Sequence, residues 1–60
     1  MSEFTVKIKT DNSAFSGEQL TYEVARILQK IYRQAEQGCL DGPIMDSNGN
    51  RVGDFYFIEN

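Results

Sequence analysis

Residues 52–58 read Val52-Gly53-Asp54-Phe55-Tyr56-Phe57-Ile58, and this run decides the fold. In an extended strand alternate side chains point to opposite faces, so Phe55 and Phe57 lie on one side and Tyr56 and Ile58 on the other. A strand apolar on both faces belongs in the middle of a sheet, covered on both sides. The run is preceded by Asp46-Ser47-Asn48-Gly49-Asn50-Arg51 and, before that, by Ile44-Met45. Asn48-Gly49 is a strong hairpin signal and predicts a type I′ turn, with φ > 0 at both central positions. Pro43 opens the short strand and suits a sheet edge. Gly53 marks a candidate bulge.

A third strand is legible at residues 4–9, where Phe4, Val6 and Ile8 alternate with Thr5, Lys7 and Lys9. The period of two predicts a half-buried strand. Thr10-Asp11-Asn12-Ser13 then supplies residues that bond their own backbone in turns. The topology that centres the last strand sets it between the first strand and the Pro43 strand, all antiparallel.

Between them runs a helix expected over about residues 17–37. Ser16 and Gln19 have the spacing of a capping box, and Glu18 complements the dipole in the first turn. Leu20, Val24, Ile27, Leu28, Ile31 and Ala35 fall on one stripe at 100° per residue. Gly38 stands where a C-cap glycine belongs, and Phe15 is placed to staple against Leu20. The expected architecture is α+β: one βαββ domain over residues 1–60, a three-stranded antiparallel sheet with one long helix on one face.

Sixty residues bury only about 60% of the surface of the unfolded chain, so the core is small and a staple is expected. Cys39 is the single cysteine and there is no histidine. An internal disulfide is excluded, and a zinc site has too few ligands. Association with another chain is the staple that remains. No basic-then-apolar leader opens the sequence and no run approaches the roughly 20 apolar residues of a membrane span. The expectation is a cytosolic protein with no membrane partner.

The chemistry points to binding. Without histidine there is no neutral-pH proton shuttle. Cys39 follows a helix C-terminus, which raises rather than lowers a thiol pKa. No glycine-rich phosphate loop opens the helix. Asp46-Ser47-Asn48-Gly49-Asn50 begins like a calcium loop, but Arg51 and Phe57 stand where glycine and glutamate are needed, and a hairpin turn is the better reading. The expectation is therefore no catalytic residue, no metal and no cofactor.

Two surfaces are candidates. One helix covers one sheet face, so Thr5, Lys7 and Lys9 are expected on the other, beside either Phe55 and Phe57 or Tyr56 and Ile58. That face and the open edge of the first strand are the expected dimer interface, formed by Thr5, Lys7, Lys9, Tyr56 and Ile58. The alternative is that residues 10–16 fold over the patch. The second surface is the polar helix face. There Tyr22 lies about 160° from the apolar stripe among Arg26, Gln29, Lys30 and Arg33. Tyrosine rimmed by arginine is a hot-spot composition, although scattered surface aromatics are ordinary. Tyr22, Arg26, Lys30 and Arg33 are the candidate partner-binding set. Nine acidic residues against six basic ones, net −3, disfavour nucleic acid. The acidic residues are dispersed over loops and ends, which also disfavours nucleic-acid mimicry.

The strings Lys7-Ile8-Lys9-Thr10-Asp11-Asn12-Ser13-Ala14-Phe15, Glu23-Val24-Ala25-Arg26-Ile27-Leu28 and Asp46-Ser47-Asn48-Gly49-Asn50-Arg51-Val52-Gly53 together resemble small proteins encoded by bacteriophages and prophages. These share a strand, a Thr-Asp-Asn-x-Ala-Phe turn, a helix and an Asn-Gly-Asn hairpin. Such motifs specify turns, caps and core positions, so no site residue carries over. The resemblance implies an accessory gene context in the host bacterial cytosol. Together with the small core and the missing catalytic groups, that context leads to the expectation of a non-catalytic homodimer that inhibits or modulates a host bacterial protein, such as a defence system. A small nucleic-acid-associated regulator and a virion assembly accessory are the alternatives.

Overall fold

The computed structural model describes residues 1–59. Strand β1 (Ser2–Ile8), helix α1 (Gln19–Glu36), strand β2 (Gly42–Met45) and strand β3 (Arg51–Glu59) follow in that order, with a 3-10 turn at Ser13–Phe15 before α1. The sheet order is β1-β3-β2, antiparallel throughout. The expected βαββ arrangement is therefore the observed one.

The β1–β3 ladder pairs Phe4 with Phe57, Thr5 with Tyr56, Val6 with Phe55 and Lys7 with Asp54. Paired residues point to the same face, and Phe55 is 1% exposed. Phe4, Val6, Phe55 and Phe57 thus form the helix side, leaving Tyr56 and Ile58 on the uncovered side. This settles which aromatic row faces the core. Phe15, Ile27, Ile31, Ile44, Val52 and Phe55 are the buried core, with Val6, Ile8, Ala14 and Val24 packed against it.

Val52 and Phe55 both reach this core although they are three residues apart. The chain manages it through a bulge: Ile44 pairs with Gly53 and Met45 with Arg51, so Val52 is an extra residue in β3. Glycine is required beside it, because a β-carbon on Gly53 would run into the Lys7 carbonyl. The bulge expected at Gly53 is present.

Three local readings are corrected. The capping box does not form: the Ser16 hydroxyl donates to the Ser13 carbonyl at 3.0 Å, and the N-cap of α1 is Glu18, with no side-chain cap bond. Ser16 belongs to the preceding 3-10 turn, whose Asn12 side chain accepts the Ala14 N–H at 3.0 Å. The helix accordingly spans Gln19–Glu36 rather than 17–37. The hairpin is not type I′, because among the described residues none other than glycine has positive φ, and only Gly49 (82°) is left-handed in the turn. Gly49 N–H bonds the Asp46 carbonyl at 3.0 Å and Asp46 N–H bonds the Asn50 carbonyl at 2.9 Å. That is a three-residue loop ending in a left-handed glycine. Finally, the buried helix face centres on Glu23, Ile27 and Ile31, and leaves Leu20 and Leu28 40% and 48% exposed. The apolar stripe is rolled relative to the sheet so that Glu23 turns inward.

The C-terminal end of α1 follows expectation. Cys39 N–H reaches the Gln34 carbonyl at 2.9 Å and Gly38 N–H the Ala35 carbonyl at 3.0 Å, the paired bonds of a Schellman cap.

Candidate protein-interaction surface

The reason Glu23 turns inward is a polar network that pins the hairpin turn to the helix. The Glu23 carboxylate, 6% exposed, accepts two bonds from the Arg26 guanidinium, at 2.7 and 3.1 Å, and one from the Ser47 backbone N–H at 2.6 Å. Arg26 also donates to the Met45 carbonyl at 3.3 Å. Asp46, 4% exposed, accepts from the backbone N–H groups of Asn48 (2.9 Å) and Asn50 (2.8 Å) and from the Asn12 amide (2.7 Å). Loop, helix and hairpin are thereby tied at one end of the molecule.

The electrostatics match the geometry. The bond from Arg26 holds the Glu23 carboxyl below its ordinary range, with the Ser47 N–H adding to it against the cost of burial. The Asn50 N–H does the same for Asp46, joined by Asn12 and Asn48. Glu23 in turn raises the Arg26 pKa. Among the described residues no buried side-chain nitrogen or oxygen lacks a partner. These acids are spent on structure, which leaves no poised proton donor or acceptor in the network. Sequence periodicity missed Glu23 because a carboxylate on an apolar stripe reads as its border. Asp46 and Asn12 were readable as turn formers, but not as partners of each other.

The candidate partner-binding face is divided by this network. Tyr22 is 71% exposed, as expected. Arg26, however, is engaged by Glu23 rather than displayed as a free cation, because the inward roll of Glu23 brings its carboxylate beside the guanidinium. Lys30 leans over the gap between α1 and β2, lined also by Gln34, Pro43 and Met45, whose free space of about 10 Å³ admits no small molecule. The basic ridge thus lacks its expected continuity. A shallow open groove of about 280 Å³ at the hairpin end is lined by Lys9, Asp11, Asn12, Arg51 and Val52. No cluster of acidic or cysteine residues able to hold a metal occurs among the described residues.

The candidate interface face is assembled more fully. Thr5 and Tyr56 are cross-strand partners, Lys7 stands opposite Asp54, and Ile58 opposite Glu3. Lys9 lies just past β1 and continues the ladder through its N–H to the Val52 carbonyl at 2.8 Å. The loop that was the alternative cover goes to the other side: Phe15 is in the core and its 3-10 turn packs against α1. The outer sheet face is left bare.

Apolar surface also remains on the helix side. Phe4 and Phe57 are 43% and 42% exposed near the strand ends, with the Phe4 ring 6.1 Å from that of Phe55. Since Lys30 marks the flank of α1 over β2, helical geometry turns Leu28 and Tyr32 toward the β1 flank, where they are 48% and 64% exposed. No helix is long and apolar enough to cross a membrane among the described residues. Comparison with protein-family models, curated proteins and solved structures returned no match to the chain.

Proposed function

We propose that this chain is a non-catalytic protein-interaction module that self-associates and acts by occupying a partner protein. One observation carries the reading. Among the described residues ten large apolar side chains stay at least 38% exposed, against six in the buried core. Apolar surface in that proportion on a small domain, with Phe4, Phe57, Leu28 and Tyr32 on the β1 side, is the mark of an interface. The bare face beyond Tyr56 and the polar purpose of Glu23 and Asp46 support it from two further directions. The likeness to phage-encoded proteins adds the context of a host bacterial protein, such as a defence factor, as the target.

The test measures mass by light scattering across a concentration series, then retention of host proteins on immobilised wild type and on a Tyr56→Lys/Ile58→Lys variant. The reading requires a mass above that of the monomer and a stoichiometric host protein lost with the variant. A monomer that retains nothing overturns it.

The nucleic-acid reading has a weaker footing. With Arg26 engaged by Glu23, the ridge offers Lys30 and Arg33 beside Tyr22 on a chain of net charge −3.

A further inference from the structure

The open edge of β1 is complementary to itself over its whole length when two copies pair about Thr5. Lys9 N–H bonds Val52, so Lys7, Thr5 and Glu3 also aim their backbone groups at β3. Ser2, Phe4, Val6 and Ile8 then present theirs to the open edge, because β1 is an outer strand. Consider a second copy pairing antiparallel about a two-fold axis through Thr5. Phe4 meets the partner's Val6 and Ser2 meets the partner's Ile8, and these are the positions whose N–H and C=O groups are unused. Thr5 faces the partner's Thr5 as a non-hydrogen-bonded pair.

The side chains agree with the backbone. On the bare face Glu3 falls opposite the partner's Lys7, and Lys7 opposite the partner's Glu3, giving two attractive pairs by symmetry. Neither residue makes an ion pair with another described residue of its own chain. On the helix face Phe4 packs on the partner's Val6. Moving the axis to Phe4 sets Thr5 against the partner's Glu3 and leaves Lys7 without an opposing charge. Moving it to Val6 sets Thr5 against the partner's Lys7 and opposes Glu3 only to the partner's Lys9, beyond the end of β1, whereas the Thr5 axis pairs the whole strand Ser2–Ile8 with itself.

We infer that two copies join through their β1 edges in this register, forming one six-stranded antiparallel sheet with both helices on the same face. This deepens the self-association in the proposed function and rests on it. Phe4, Leu28 and Tyr32 of both copies then flank the new seam, which accounts for the concentration of exposed apolar side chains on that side of α1. The occupant is a second copy because the charge pattern of the edge is its own complement.

The experiment is a dissociation constant by sedimentation or light scattering for wild type, Lys7→Glu, Glu3→Lys and the double variant Glu3→Lys/Lys7→Glu. Both positions are exposed, so circular dichroism should show the fold retained, with a lower melting temperature for the variants carrying Lys7→Glu because position 7 stands opposite Asp54. Each single change places like charges opposite one another twice and is expected to weaken the dimer roughly ten-fold or more. The double variant restores it. In a Cys39→Ser background, Thr5→Cys should form an intermolecular disulfide, the two Cα atoms being about 4.5 Å apart at such a pair. A dimer whose affinity ignores all three charge variants and whose Thr5→Cys form does not cross-link overturns the register, while leaving self-association standing. A wild type that stays monomeric overturns both.

Discussion

Glu23 and Ser47 are 24 positions apart in the chain, yet the Glu23 carboxylate accepts the Ser47 backbone N–H at 2.6 Å. This bond joins the first half of α1 to the tip of a hairpin whose strand β2 has only four residues. A short strand with a proline at its second position has little ladder of its own, so the helix holds the turn in place through a side chain. Stability of the hairpin is consequently coupled to the helix at one carboxylate.

Replacing Glu23 by alanine removes the acceptor for Ser47 and the partner of Arg26 together. A loss of about 1–3 kcal/mol is expected for leaving such groups unsatisfied, a large part of the stability of so small a domain. Thermal denaturation followed by circular dichroism reads it. Glu23→Gln keeps an acceptor and should lose less.

Acid should loosen the same end. Glu23 and Asp46 both titrate below their ordinary values of 4.5 and 3.8, so the unfolded chain binds protons first as pH falls. Their contribution is complete above those ordinary values and is lost progressively as pH drops through the lower, folded ones. Denaturant midpoints measured from pH 7 down to pH 2 should decline chiefly below about pH 4.5. Asp46→Asn should flatten the lower part of that decline.

Substitution of Gly53 tests the bulge. Gly53→Ala drives a methyl group into the Lys7 carbonyl, which is backbone and has nowhere to move without parting β1 from β3. Loss of folding, or a fall in melting temperature larger than that from Gly42→Ala, is expected. At Gly42 an added β-carbon meets only the Phe55 ring, at an ordinary 3.5 Å.

The basic residues of α1 should behave unequally. Arg33→Glu leaves every observed bond intact, whereas Arg26→Glu sets a second carboxylate beside Glu23 and withdraws the donor to Met45. Urea titration should show a destabilised Arg26→Glu protein and an Arg33→Glu protein close to wild type.

What could be read in advance was whatever repeats with a period. The double-faced run at Phe55–Ile58 located the central strand, and the alternation from Phe4 to Lys9 found its neighbour. The glycine after Gln37 marked the end of the helix. The misreadings share a cause: each turned on which partner a polar side chain takes, a near one for Ser16 and Asp46 and a remote one for Glu23. Ser16 looked like a helix cap because its bond to Ser13 depends on the 3-10 turn around Asn12. Glu23 looked like the edge of a stripe because Ser47 is remote in sequence. The Asn48-Gly49 turn took its other form because Asp46 gathers the N–H groups of Asn48 and Asn50 on one carboxylate, leaving Asn48 at negative φ. As for the candidate surfaces, the sheet face was legible through the arithmetic of one helix on three strands. The basic ridge was not, since only the fold reveals that Arg26 is engaged.

Ser2 pairs with Glu59, so head and tail of the described chain lie side by side. A few added residues between them would close a ring without stretching either strand, and the unfolded ring would have less freedom to regain. The connection from Gly38 to Asp41 is exposed and carries no ladder bonds, which makes it the natural place to cut such a ring. A permuted protein starting at Asp41 would carry its three strands in succession, β2, β3 and β1, with the helix last along the chain.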